Sequence, residues 1–137
     1  NLLPSQGRTF ISIRDEDKTA AMLDAAKSLS DMGFVLVATR GTAAWLKEAG
    51  LSCDTVNKVY EGRPNIVDQL KDGEIALVLN TTEGAQSIED SREIRSVALY
   101  DKIPYFTTAA GAQAAAQAIA SRDAGEIVVT SLQELAQ

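Results

Sequence analysis

The sequence predicts an α/β fold: a mainly parallel, five-stranded sheet flanked by helices. Three observations carry this. Apolar runs alternate with amphipathic stretches at least five times along the 137 residues. Two of the runs, Phe34-Val35-Leu36-Val37-Ala38 and Ile75-Ala76-Leu77-Val78-Leu79, are apolar throughout, as strands buried on both faces are. The connections are short, and such alternation is the signature of a parallel sheet with helical crossovers of one hand. The length fits one domain with a single core.

Residues 1–7 read as a linker, and 8–137 as the domain. Arg8-Thr9-Phe10-Ile11-Ser12-Ile13 is strand-like. Met22, Ala25, Ala26, Leu29 and Met32 recur at helical spacing, which predicts a helix over 18–32 capped by Asp15 or Asp17 and stopped by Gly33. After the second strand, Thr39-Arg40-Gly41-Thr42 leads into a helix that Gly50 stops. A third strand is expected over 53–59, then a polar loop, with Pro64 near the first turn of a short helix over 66–71. The fourth strand runs into Asn80-Thr81-Thr82. Asp90-Ser91 opens the next helix, and a fifth strand is expected over 102–106. An alanine-rich helix over 109–121, a last edge strand over 126–130 and a capped terminal helix from Ser131 complete the reading.

Composition narrows the function. The net charge of −6 speaks against a general binder of nucleic acid or anionic membranes. There is no His, which removes the usual general base and the commonest metal ligand. Cys53 is the only cysteine, so no internal disulfide forms; its apolar context reads as an inert thiol in a reducing, cytoplasmic setting. No apolar run reaches the roughly 20 residues needed to span a bilayer. No signal peptide precedes the first strand, and the missing initial Met suggests excision from something larger. No metal site, and no acid–base pair for catalysis, is expected.

In a parallel sheet, ligands bind beyond the carboxyl ends of the strands. The expected strand ends deliver Arg14 and Lys18; Thr39, Arg40, Gly41 and Thr42; Asn57, Lys58 and Arg63; Asn80, Thr81 and Thr82; and Thr107 and Thr108. Cations, hydroxyls and a helix N-terminus converging there suit a phosphate or carboxylate. Each residue also has a plain reading: Thr42 as helix N-cap, Lys58 paired with Glu61, Thr107 and Thr108 capping the alanine-rich helix, Asn80 steadying its own turn.

Several of these segments resemble a known family. Thr39-Arg40-Gly41-Thr42, the run from Val56 to Ile66 containing Asn57-Lys58-Val59-Tyr60-Glu61-Gly62-Arg63-Pro64, Asn80-Thr81-Thr82, and Ser87-Ile88-Glu89-Asp90-Ser91 with Ile94-Arg95 are similar to the C-terminal regulatory domain of the carbamoyl-phosphate synthase large chain. That domain falls in the Rossmann-like, three-layer methylglyoxal-synthase-like superfamily. The resemblance implies an allosteric nucleotide site inhibited by UMP and activated by IMP. Lys18, Thr39 and Thr42 match the phosphate contacts, within a cradle that includes Arg40 and Gly41. Lys58, Asn80 and Thr82 match further effector contacts. Tyr105 and Thr107 match contacts to ornithine at the junction with a neighbouring ATP-grasp synthetase domain. The parent enzyme, with a small glutaminase subunit, makes carbamoyl phosphate for pyrimidine and arginine biosynthesis using ATP and Mg. No cofactor and no catalysis are implied for this segment.

Two departures stand out. Many bacterial relatives carry His where Arg40 stands. The aldehyde-forming superfamily members carry a catalytic Asp in a Gly-Gly-Asp turn, where this chain has Glu61-Gly62-Arg63. The alternatives are therefore a stand-alone triose-phosphate lyase of the methylglyoxal synthase type, which an arginine at that position disfavours, and a purely structural interface domain.

Overall fold

A computed structural model describes residues 3–4, 6–58, 61–81 and 88–124. Five strands form one sheet: β1 (Arg8–Ser12), β2 (Val35–Ala38), β3 (Asp54–Thr55), β4 (Ile75–Asn80) and β5 (Tyr105–Phe106), in the order β3-β2-β1-β4-β5 and all parallel. Five helices connect and cover them: α1 (Ala20–Asp31), α2 (Arg40–Glu48), α3 (Ile66–Lys71), α4 (Ile88–Tyr100) and α5 (Ala109–Ala124). The expected strand over 126–130 and terminal helix lie outside the described residues, as does Thr82.

The sheet separates two cores. On one face Ile11, Leu36, Leu77 and Leu79 pack against α1, α2 and α5 through Met22, Leu29, Leu46, Ala112 and Ile119. On the other, Phe10, Val37 and Val78 pack against α3 and α4 through Ile66, Leu70 and Ile94. Strand alternation sends neighbouring residues to opposite faces, which is why the runs that form β2 and most of β4 are apolar throughout. The chain moves one way along the sheet through α1 and α2 and the other way through α3 and α4. Helices on opposite faces are what one crossover hand then requires.

The element boundaries carry several corrections. The first helix begins at Ala20 rather than at 18, and its cap is Thr19, whose hydroxyl accepts from the Met22 amide at 3.3 Å. Asp15 and Asp17 do not cap it, because they form a 3₁₀ turn and engage Lys18 and Arg14. The third strand is two residues long rather than seven. Its expected continuation at Asn57 and Lys58 directs carbonyls to Ile66 and Glu61 instead of to a ladder. Asn65, not Pro64, governs the start of α3, in a reciprocal capping box with Asp68. The fourth helix starts at Ile88, before Asp90. The fifth strand keeps only Tyr105 and Phe106, since Lys102 sits in a left-handed turn (φ 59°) and Pro104 has no amide to donate. The expected five-stranded, mainly parallel sheet is found, and among the described residues every strand pairing is parallel.

Two described residues of the segment read as a linker, Leu3 and Pro4, touch the domain. Leu3 packs on the α1/α2/α5 core, and Arg122 at the end of α5 donates to the carbonyls of Leu3 and Pro4, both at 2.6 Å.

Candidate functional site

From β1 the chain leaves toward β2 and β3, and from β4 toward β5. The connections therefore diverge above the carboxyl ends of β1 and β4, which leaves a crevice there, the place where such sheets bind ligands. The floor of this crevice is polar. Ser12 is paired in register with Asn80, and Thr39 follows the Ile11–Ala38 pair on the other side. All three are buried, at 4%, 1% and 4% exposure. The Ser12 and Thr39 hydroxyls lie 3.4 Å apart, and the Asn80 amide donates to the Tyr105 hydroxyl at 3.0 Å. Burial of polar side chains is tolerated because partners are within reach.

Above this floor stands the N-terminus of α2. Thr39 is its N-cap residue, in extended backbone, and its carbonyl accepts from Ala43 at 2.7 Å. Thr42, for which the plain alternative is an N-cap role, is the third residue of the helix. Its hydroxyl accepts from the Ile13 amide at 3.0 Å, so it ties α2 to the end of β1. The amides of Arg40, Gly41 and Thr42 belong to the first turn and have no acceptor within the helix. Thr81 makes a parallel tie, accepting from the Arg14 amide at 3.1 Å.

Lys18 reaches this turn from the adjoining loop. Its Nζ lies 3.9 Å from where a Cβ on Gly41 would be, and its side chain is only 21% exposed. An ammonium beside the positive end of a helix is unfavourable by itself. Here the Asp15 carboxylate balances it, at 2.8 Å from Nζ. The bond to Lys18, and then its charge, holds the Asp15 carboxyl below the usual range. One lysine and one helix end facing a common space is an arrangement for an anion.

The other site residues are placed as follows. Arg40 turns sideways, donating to Asn57 Oδ1 at 3.0 Å, with its Nε 3.8 Å from Glu61 Oε2. Lys58 lies on the same loop, and its amide donates to Glu61 Oε1 at 2.7 Å. Asn80 and Tyr105 meet each other, and burial pushes the Tyr105 phenol up. Thr107 follows β5, half-buried; Thr108 caps α5, accepting from Gly111 at 3.0 Å. Arg14 is paired with Asp17 and Arg63 with Asp68. The sequence reading does not single out Ser12, although it is the polar end of the strand that precedes Arg14; it places Asn57 at the strand ends and Glu61 beside Lys58, but their shared contact with Arg40 becomes visible only with the loop folded. Among the described residues no group of His, Cys, Asp or Glu could hold a metal ion, and no helix is long and apolar enough to cross a membrane.

A family model described as "MGS-like domain" matches residues 21–107. The match takes in Thr39 to Thr42, Lys58, Asn80, Tyr105 and Thr107, and begins just after Lys18. The chain is 53% identical over 132 residues to the carbamoyl phosphate synthase large chain of Xanthomonas axonopodis pv. citri, covering 96% of this chain and 12% of that one. It is 52% identical to the large chain of Halomonas eurihalina (97% of this chain, 12% of that one) and 47% identical to that of Rhizobium meliloti (96% and 11%). It thus spans only 11–12% of the length of the curated relatives it matches. The matched segment runs from the start of α1 through β5 and carries four of the five parallel strands. On that match and this architecture, the chain belongs to the MGS-like domain family.

Proposed function

We propose that this chain is the effector-binding regulatory module of a carbamoyl phosphate synthase large chain, with residues 8–137 as the module. The observation that carries the reading is Lys18 held against the first turn of α2, its charge paired, among the described residues, with the exposed Asp15. The phosphate of a nucleoside monophosphate such as UMP or IMP is received there by Lys18, the first-turn amides of Arg40, Gly41 and Thr42, and the Thr39 and Thr42 hydroxyls. Lys58, Asn80 and Thr82 contact the remainder of the nucleotide. Tyr105 and Thr107 stand where an amino-acid effector such as ornithine meets the adjoining ATP-grasp domain.

The module needs no cofactor. ATP and Mg serve the synthetase domains, and ammonia comes from the small glutaminase subunit, in the cytoplasm. Effector control works by differential affinity for two states of the synthetase, a coupling of about 1–3 kcal/mol.

Titration calorimetry of the chain with UMP and with IMP tests this. Heat that saturates, and that Lys18→Met and Lys58→Met each weaken at least about tenfold, is the expected result, one tenfold step being about 1.4 kcal/mol. Absence of heat at millimolar nucleotide, with the melting transition intact, would sink the reading. The lyase alternative is supported by the same anion cradle, but Arg63 stands where a catalytic Asp is needed, and its guanidinium is committed to Asp68 at 2.7 Å. Colorimetric assay of dihydroxyacetone phosphate should detect no methylglyoxal.

A further inference from the structure

Arg40 looks like a phosphate ligand by position and behaves otherwise by contact. It is the first residue of α2, where the helix dipole disfavours a cation. Its guanidinium reaches away along the loop that follows β3. One arm donates to Asn57 Oδ1 at 3.0 Å, and Nε faces Glu61 at 3.8 Å. Asn57 is a hub: its own amide donates to the Pro64 carbonyl at 3.0 Å, and its carbonyl accepts from Ile66 at 3.0 Å. Glu61 is a second hub, since its other carboxylate oxygen accepts from the Lys58 amide at 2.7 Å, while the Lys58 carbonyl accepts from the Glu61 amide at 3.0 Å. The path from the first turn of α2 to the Lys58 backbone is thus Arg40, Glu61, Lys58.

We infer that Arg40 is a positioning residue: it latches Asn57 and Glu61 to the start of α2 and so fixes the Lys58 backbone that presents this lysine to a bound nucleotide, without itself taking the phosphate. Direct contact is opposed by charge. Moving the guanidinium onto a phosphate strips Glu61 of its cation and leaves that carboxylate facing the incoming negative charge. The latch also needs the guanidinium fork. A lysine has one terminal nitrogen and cannot serve Asn57 and Glu61 from separate positions.

This rests on the effector-site reading above. The test uses the whole chain, with uridine monophosphate as the nucleotide probe and inorganic phosphate as the anion alone. Arg40→Lys keeps the charge and loses the fork; Arg40→Gln loses both. Both should weaken uridine monophosphate about fivefold, the scale of one exposed charged contact. Both should also speed amide hydrogen exchange at Lys58. In a Lys58→Met background the Arg40 substitutions should have no further effect on affinity, because the residue they act through is gone. Inorganic phosphate, held by Lys18 and the first turn of α2 in the effector-site reading, should bind the Arg40 variants as it binds the wild type, and a loss matching that for uridine monophosphate would make Arg40 a direct ligand. Arg40→Lys binding uridine monophosphate like the wild type, or Arg40→Gln and Lys58→Met losses that multiply, would overturn the latch and make Arg40 a direct ligand. Unchanged exchange at Lys58 would overturn it irrespective of affinity. No binding of either probe by the folded wild type would instead remove the effector reading, and the role of Arg40 with it.

Discussion

Valine in place of Thr42 exchanges a hydroxyl for a methyl at nearly constant volume, so it interrogates one oxygen. That oxygen accepts from the Ile13 amide at 3.0 Å and faces the Ile13 carbonyl at 3.5 Å, and both residues are 3% exposed. Valine leaves the Ile13 amide buried without an acceptor, which costs about 1–3 kcal/mol. With an unfolding entropy of about 2.1 cal/mol/K per residue, a chain of 137 residues loses about 7 °C in Tm for a cost of about 2 kcal/mol. Thermal melts read this directly, and urea unfolding should show a lower midpoint at unchanged slope. Thr42→Ser keeps the oxygen and should recover most of the loss. The hydroxyl proton has only the long contact to the Ile13 carbonyl in this structure. It can therefore turn to a phosphate while the oxygen still accepts from Ile13, so valine should weaken UMP as well and serine should restore both. A valine variant melting within about 1 °C of the wild type would refute the tie, since such a shift is a small fraction of 1 kcal/mol.

Asn65→Ala removes the acceptor for the Val67 amide (2.9 Å) and the Asp68 amide (3.4 Å), and should cost about 1 kcal/mol, a fall of about 3–4 °C in a thermal melt. Asp68 is held below its ordinary value of 3.8, first by Arg63 and then by the Asn65 amide. A depressed folded value stabilises above the ordinary carboxylate range and loses that stabilisation as pH falls through it; the urea midpoint should therefore drop below about pH 4, and less so in Arg63→Gln. Gly7 has φ +127°, and a Cβ there would stand 2.8 Å from the Ala76 Cβ; Gly7→Ala should cost about 1–3 kcal/mol in urea unfolding, partly through the Val35 amide bond to the Gly7 carbonyl at 2.9 Å. Burial pushes the half-buried Cys53 thiol up, so a colorimetric disulfide reagent at neutral pH should react with it far more slowly than with the urea-unfolded chain.

The central sheet was legible because β2 and β4 are covered on both faces, and that burial writes itself as apolar runs, Val35–Ala38 and 75–79; β1, with Arg8, Thr9 and Ser12 around Phe10-Ile11, reads as a strand less plainly. The edge strands were not legible in extent. Among the described residues β3 and β5 each pair on one side only, through two residues apiece. What precedes and follows them is decided by turn bonds, such as those from Glu61 to Lys58 and from Ile103 to Ala98. The start of α1 misled for a related reason. Asp15, Glu16 and Asp17 look like an acidic first turn, but Arg14 and Lys18 on either side draw two of them into local ion pairs. The stretch 14–18 closes on itself before the helix begins.

At the site, the position of the turn at 39–42 was readable, and the partners of its side chains were not. A glycine between threonines after an apolar run marks a strand-to-helix turn by local pattern alone. Which group each side chain meets is set by sheet order and register, across separations that no local pattern carries: Thr42 to Ile13, Asn80 to Tyr105, Arg40 to Asn57. Placing β1 beside β2 puts the Ile13 amide under the Thr42 hydroxyl and turns an apparent cap into an anchor. Placing the β3 loop beside α2 gives Glu61 two clients, the Arg40 guanidinium and the Lys58 amide. The positive character of this edge in a chain of net charge −6 is consequently not a sum of exposed lysines and arginines. Arg14, Arg40 and Arg63 are each matched to a carboxylate. On the effector reading proposed above, an anion is drawn instead by the first-turn amides of α2, which have no acceptor within the helix, and by Lys18, whose counter-charge, Asp15, is 93% exposed.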